Sequence, residues 1–177
     1  MLYRGLKVRL VEEVLEPFYV VEGLNGEGDC LQLVIPDDIN GTPVTKIADN
    51  AFRANNTLET VYVGSNIQEI CSQAFFDCRK LRDIIFPENS SLHTLGNDAF
   101  SYSGVTSINL PETLRRVGEF CFYGCSNLSE VRFGRSVVEI GPFAFDECYN
   151  AKILCSDSCD LITRYAWKNN IPIELIF

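Results

Sequence analysis

The sequence predicts one α/β solenoid, a superhelix of about five strand, turn and short-helix units of about 23 residues each, and three observations carry that expectation. Phenylalanine returns at Phe52, Phe75, Phe100, Phe122 and Phe145. Around each one the chain repeats Leu-x-x-Val-x-(Ile/Leu/Phe)-(Pro/Gly), then Val-x-x-Ile-Gly, then x-x-Ala-Phe-x-x-Cys; the best copy is Leu128, Val131, Phe133, Gly134, Val137, Ile140, Gly141, Ala144, Phe145 and Cys148. In register, the copies form columns of one size class. Small residues stand at Ala51, Ala74, Ala99, Cys121, Ala144 and at Ala48, Cys71, Gly96, Gly118, Gly141; large ones stand at Ile47, Ile70, Leu95, Val117, Ile140 and at Val61, Ile84, Ile108, Val131. A unit this short cannot bury an apolar face alone, so stacking has to supply the core.

From the N-terminus, Leu6, Val8 and Leu10 alternate ahead of two glutamates, a pattern that fits either strand or helix. Phe18 to Glu22 and Leu31 to Ile35 read as a hairpin around the turn of Gly23, Gly26 and Gly28, shielding the first repeat. Within each unit, Leu-x-x-Val-x-Ile is short, β-branched and closed by Pro or Gly, which suits a strand and its stop. Val-x-x-Ile-Gly reads as a second, poorer strand or an extended turn. The stretch from the alanine to the cysteine, such as Asp98 to Ser103, has room for a helical turn or two. The spacing slips at Pro87 to Leu92 and at Phe100 to Val105, where turns absorb insertions and deletions cheaply. At the C-terminus, Asp157 or Ser158 can cap a helix carrying Leu161, Ile162, Tyr165 and Ala166 on one side, stopped by Asn169, Asn170 and Pro172, with a last strand from Ile171 to Phe177. The whole is a single domain, with an N-terminal cap (1–30), repeats (31–154) and a C-terminal cap (155–177).

A net charge of −9 disfavours nucleic acid and anionic membrane surfaces, which bind through basic footprints, and suits a basic partner. No stretch reaches transmembrane length, so membrane insertion is not expected. Met1 to Glu13 lacks the apolar run of a signal peptide, which fits a cytoplasmic protein or one expressed without its leader. Of eight cysteines, Cys78, Cys125 and Cys148 share the motif's cysteine column and Cys71 and Cys121 fall in small-residue columns, so they read as reduced structural side chains. Cys121-x-x-x-Cys125 and Cys155-x-x-x-Cys159 fall short of the four ligands of a tetrahedral zinc site, and neither metal nor cofactor is expected. Cys30, Cys155 and Cys159 lie outside the ladder and could bond in an oxidising setting. The single histidine, His93, sits in an insertion and reads as a solvated loop residue. Glu12-Glu13, Asp37-Asp38 and Asp146-Glu147 read as solvated faces, and the glycines of 23–28 lack the strand-to-helix context of a nucleotide loop. The chain therefore reads as non-enzymatic.

The repeated Ile-Pro strand end, the Ile-Gly turn and the Ala-Phe-x-x-Cys segment resemble the BspA-like leucine-rich repeats over Leu31 to Leu154. The ends match too: Ile35-Pro36 with Gly41-Thr42-Pro43-Val44 is similar to that family's first repeat, and Tyr165-Ala166 with Asn169-Asn170-Ile171-Pro172 to its closing segment. Asn55 and Ser103 depart from the cysteine column, and Ala48 and Cys71 stand where glycine is common. The resemblance implies a right-handed leucine-rich-repeat solenoid and a tendency toward cell-surface adhesion.

Specificity is expected where the columns vary. The outward strand position reads Val34, Tyr62, Ile85, Asn109, Arg132; with the flanks Glu59, Arg82 and Glu130 it forms the candidate binding site, with Tyr62, Ile85, Asn109 and Arg132 at its centre. The alternative for Ile85 is packing under a neighbouring turn. A second varied column, Arg53, Phe76, Ser101, Tyr123, Asp146, reads first as inter-repeat packing. Two functions follow: a recognition module binding a protein or glycan through the strand face, or a cytosolic acidic inhibitor or adaptor occupying a basic site on another protein.

Overall fold

The computed structural model describes residues 2–3, 5–12, 14–25, 30–155 and 159–176. The chain opens with β1 (Leu2–Tyr3), β2 (Leu6–Val11) and β3 (Phe18–Leu24), antiparallel in sequence order. It then alternates between two sheets, a front and a side. β4 (Gln32–Val34) is front, β5 (Asp38–Ile39) and β6 (Thr42–Ile47) side, β7 (Thr60–Tyr62) front, β8 (Glu69–Ile70) side, β9 (Asp83–Ile85) front and β10 (Thr94–Leu95) side. β11 (Ser107–Asn109) is front, β12 (Arg116–Val117) side, β13 (Glu130–Arg132) front and β14 (Glu139–Ile140) side. β15 (Lys152–Cys155), α1 (Asp160–Lys168) and β16 (Ile173–Leu175) close the stack, both strands joining the front sheet. The seven front strands run parallel in chain order, which makes about seven turns rather than five. The five phenylalanine-bearing units are the complete ones; β15 with α1, and then β16, lack the motif and were not counted by it.

The N-terminal hairpin exists, but its partners differ from those the glycines suggested. β3 pairs with β2 on one side and, in parallel, with β6 on the other, whereas β4 belongs to the opposite sheet and pairs with β7. Leu6 and Val8 are buried against the core, so the ambiguous first segment is a strand. Gly26 and Gly28 lie outside the described residues, as do Asp157, Ser158 and Phe177. The described N-cap of α1 is Cys159, and Leu161 is exposed while Ile162 and Ala166 are buried.

The short helices do not form; among the described residues α1 is the one helix. The reason is backbone chirality. Asn50, Gln73, Asp98, Phe120 and Phe143 hold φ between 54° and 58°, and four residues later Ala54, Asp77, Tyr102, Gly124 and Glu147 are left-handed again. A left-handed residue costs about 1 kcal/mol or more outside glycine and stops a right-handed helix. The conformation is held by a third ladder between coils: Asn50, Phe52 and Ala54 donate N–H to the carbonyls of Ser72, Ala74 and Phe76, and Gln73, Phe75 and Asp77 to those of Asn97, Ala99 and Ser101. The same triplet recurs two coils further on. Three faces per coil are thus tied to the next, and these amides of the turn find partners in the following coil without a helix.

Inside these faces Phe52, Phe75, Phe100, Phe122 and Phe145 stack face to face, centroids 5.1 to 5.3 Å apart, all buried. Tyr165 of α1 meets Phe145 edge-on at 6.1 Å and ends the stack. The glycines of the small column are needed because coils nearly touch there: a Cβ on Gly118 would stand 2.5 Å from the Gly96 carbonyl carbon.

Candidate functional site

Parallel register sets Val34, Tyr62 and Ile85 side by side on β4, β7 and β9, with Leu33, Val61 and Ile84 between them turned inward and buried. One parity of the strand belongs to the core and the other to solvent. The outward residues are exposed: 64% for Val34, 39% for Tyr62 and 43% for Ile85. Ile85 therefore does not pack beneath a turn. Asn109 and Arg132 are neighbours on β11 and β13 and are also exposed; Arg132 reaches Glu130 at 3.7 Å. Glu59 and Arg82 flank the apolar half, both exposed. The front face thus has an apolar half toward β4 and a polar half toward β13. Val34, the first member of the outward column though not among the candidate site residues, belongs to the exposed apolar half, and Leu31 just before its strand is exposed as well.

The side sheet is different. Its outward positions, Lys46, Glu69, Thr94, Arg116 and Glu139, are in register, and Lys46 meets Glu69 at 2.8 Å while Arg116 meets Glu139 at 3.0 Å. Charges there are satisfied by neighbours of the same chain. The second varied column is largely packing: Ser101 is buried, and Phe76 and Tyr123 each meet Tyr102 edge-on at 5.8 and 5.4 Å.

All eight cysteines are free thiols. In the cysteine column they have a task beyond filling space, since the Sγ–H of Cys78, Cys125 and Cys148 donates to the carbonyls of Phe52, Phe100 and Phe122 at 3.0, 3.0 and 2.9 Å. A small, buried donor is what that carbonyl wants. Asn55 instead folds back, its Oδ1 accepting from the Thr57 and Leu58 amides, and Ser103 contacts Cys125 at 3.4 Å. Cys30 and Cys155 stand at opposite ends of the front sheet, so a bond between them is excluded. Among the described residues no group of His, Cys, Asp or Glu is arranged to hold a metal ion. His93 is exposed and its ring contacts Thr94.

Burial pushes the Cys78 thiol up to about 12 from its ordinary 9.0 and raises Cys121 as well, while the hydrogen-bonded Cys125 thiol beside it, together with burial, raises Cys148. These thiols stay protonated near neutral pH and are poor nucleophiles. With the folded pKa above the unfolded one, the unfolded chain releases its protons first. The associated stability is complete below about pH 9 and is lost as pH rises toward 12. The urea midpoint should fall across that window, less steeply in Cys78→Ala; equal slopes would remove Cys78 from the account.

The BspA type leucine-rich repeat family model matches residues 45–174 in six copies. The chain belongs to the BspA-type leucine-rich repeat family. Among solved structures this family member resembles the leucine-rich repeat protein of T. pallidum, with 26% identity, 87% of this chain and 70% of that one covered, and a TM-score of 0.76. It also resembles a leucine rich cell surface protein from Faecalibacterium prausnitzii (18% identity, 88% and 54% covered, TM-score 0.56) and the pneumococcal vaccine antigen PcpA (16%, 90% and 50%, TM-score 0.65). The last two share the fold, and the repeat chain spans about half of each. No curated protein matches it. No helix among the described residues is long and apolar enough to cross a membrane.

Proposed function

We propose that this chain is a non-enzymatic recognition module that binds a protein partner through the outward column of the front sheet, with Tyr62, Ile85, Asn109 and Arg132 at its centre and Glu59, Arg82 and Glu130 on its rim. The observation that supports this most directly is the contrast between faces. The side sheet neutralises its own charges, while the front sheet leaves Val34, Tyr62 and Ile85 adjacent and exposed beside charged flanks. An apolar centre rimmed by charge is the anatomy of a protein interface, and aromatic and arginine anchors carry much of its energy. The structural neighbour described as a cell surface protein favours contact outside the cell as the setting.

A photo-crosslinking side chain at Ile85 should capture the partner, and the same group at Thr94 on the side sheet should not. With the purified pair, Tyr62→Ala and Arg132→Ala should each weaken binding by more than about 1 kcal/mol and leave stability within about 1 kcal/mol. The net charge of −9 supports a second reading, an acidic inhibitor or adaptor on a basic site. That reading expects affinity to fall steeply with salt and to follow surface acids rather than this column. Equal capture from both sheets and no effect of either alanine would reject the front-face reading.

A further inference from the structure

We propose that the turn face carries a second docking surface, independent of the front sheet: an aromatic strip of Tyr102, Tyr123, Phe120 and Phe143, edged by Asp98, Asp146 and Glu147, that takes an arginine-bearing basic segment of a partner protein. The strip is continuous. Tyr102 meets Tyr123 edge-on at 5.4 Å, Tyr123 meets Phe120 edge-on at 5.5 Å, and Phe120 stacks on Phe143 at 5.1 Å with the rings 13° apart. Tyr102 remains 43% exposed and Phe143 50%.

Nothing in the fold calls for aromatic rings at the two phenylalanine positions. Phe120 and Phe143 hold φ of 54° and 57°, in the column where preceding coils place Asn50, Gln73 and Asp98. Asparagine and aspartate tolerate this left-handed conformation, and bulky side chains are outliers in it. The core does not claim the rings either, since Phe143 is half exposed and Phe120 only half-buried. Strained, exposed, mutually stacked rings are an arrangement kept for contact with something else.

The chemistry of the occupant follows from charge and from an example within the chain. Arg53 lies over the Phe76 ring at 4.5 Å, one end of the same face, and no described cation is placed over Tyr102, Phe120 or Phe143. Asp98 precedes Phe120 by one coil in its column, Asp146 follows Tyr123 in its own, and Glu147 accepts from the Tyr123 hydroxyl at 2.6 Å. Among the described residues none of the three acids is in an ion pair, whereas Asp77 at the edge is taken by Arg79 at 2.6 Å. Ring faces beside carboxylates that no described cation neutralises suit a planar guanidinium, which stacks on the ring while its N–H groups reach the acids; an ammonium ion can do only part of this.

The test is binding of a short peptide alternating arginine and glycine to the whole chain, at physiological salt, by calorimetry. Saturable binding is expected, and the lysine version of the peptide should bind several-fold more weakly. Phe120→Asn and Phe143→Asn place the residue type of the first coil in the same backbone. They should hold or raise the unfolding midpoint while weakening the arginine peptide at least about tenfold. Asp98→Asn, isosteric, should weaken it a few-fold, and Tyr62→Ala on the front sheet should not change it. The proposal is overturned if the arginine peptide does not saturate, if a neutral glucan oligosaccharide binds in its place, if the two asparagine variants bind as wild type, or if Tyr62→Ala abolishes binding.

Discussion

Replacing Phe100 by alanine should lower the free energy of unfolding by roughly 3 to 5 kcal/mol. Its ring is fully buried and lies between Phe75 and Phe122 at 5.3 Å on each side. The void left by truncation cannot close, because the distance between coils is set by three sets of backbone hydrogen bonds and not by the ring: the Phe100 amide still donates to Cys121 and its carbonyl still receives the Cys125 thiol. That loss is a large share of the net stability of an ordinary domain. In a solenoid each coil touches only its neighbours, so a gap at the centre should also uncouple the two ends and broaden the transition. Urea unfolding followed by circular dichroism reads both effects. A midpoint and slope equal to wild type would show that the phenylalanine stack does not carry the core.

The second large effect tests strand parity. Ile108→Asp should abolish the cooperative transition or cost more than about 4 kcal/mol, while Asn109→Asp, one residue on, should stay within about 0.5 kcal/mol. Ile108 is buried between Ile84 and Val131 of the inward column, where an introduced carboxylate would be desolvated; Asn109 points to water. A one-residue slip would exchange these outcomes. The comparison needs only two variants and one denaturation experiment, and reversed costs would place the candidate binding column inside the molecule.

Fold and candidate column were legible in the sequence to different depths. The phenylalanine, alanine and glycine columns could be read directly because stacked coils repeat one environment, so a residue's size at one level predicts its size at the next. The same logic placed Tyr62, Ile85, Asn109 and Arg132 outside, since strand alternation is local. The turns were misread because a short stretch around Ala-Phe is compatible with a helical turn by composition. What excludes it is the left-handed backbone at Asp98 and Tyr102, which is held by carbonyls of the next coil, contributed by Glu119 and Tyr123.

By itself, then, the sequence determined the repeat, the core columns and the parity of the front strands, all of which follow from periodicity in one chain. Tertiary structure alone decided three things. The N-terminal hairpin joins β2 to β3, because strand pairing is a choice between distant segments that glycines do not signal. The side sheet cancels its charges, because Arg116 and Glu139 lie 23 residues apart and meet only through register. The aromatic strip exists because Phe120, Tyr123, Phe143 and Tyr102 come from three consecutive coils whose left-handed turns aim their rings at one another, a direction in space that no column of letters contains.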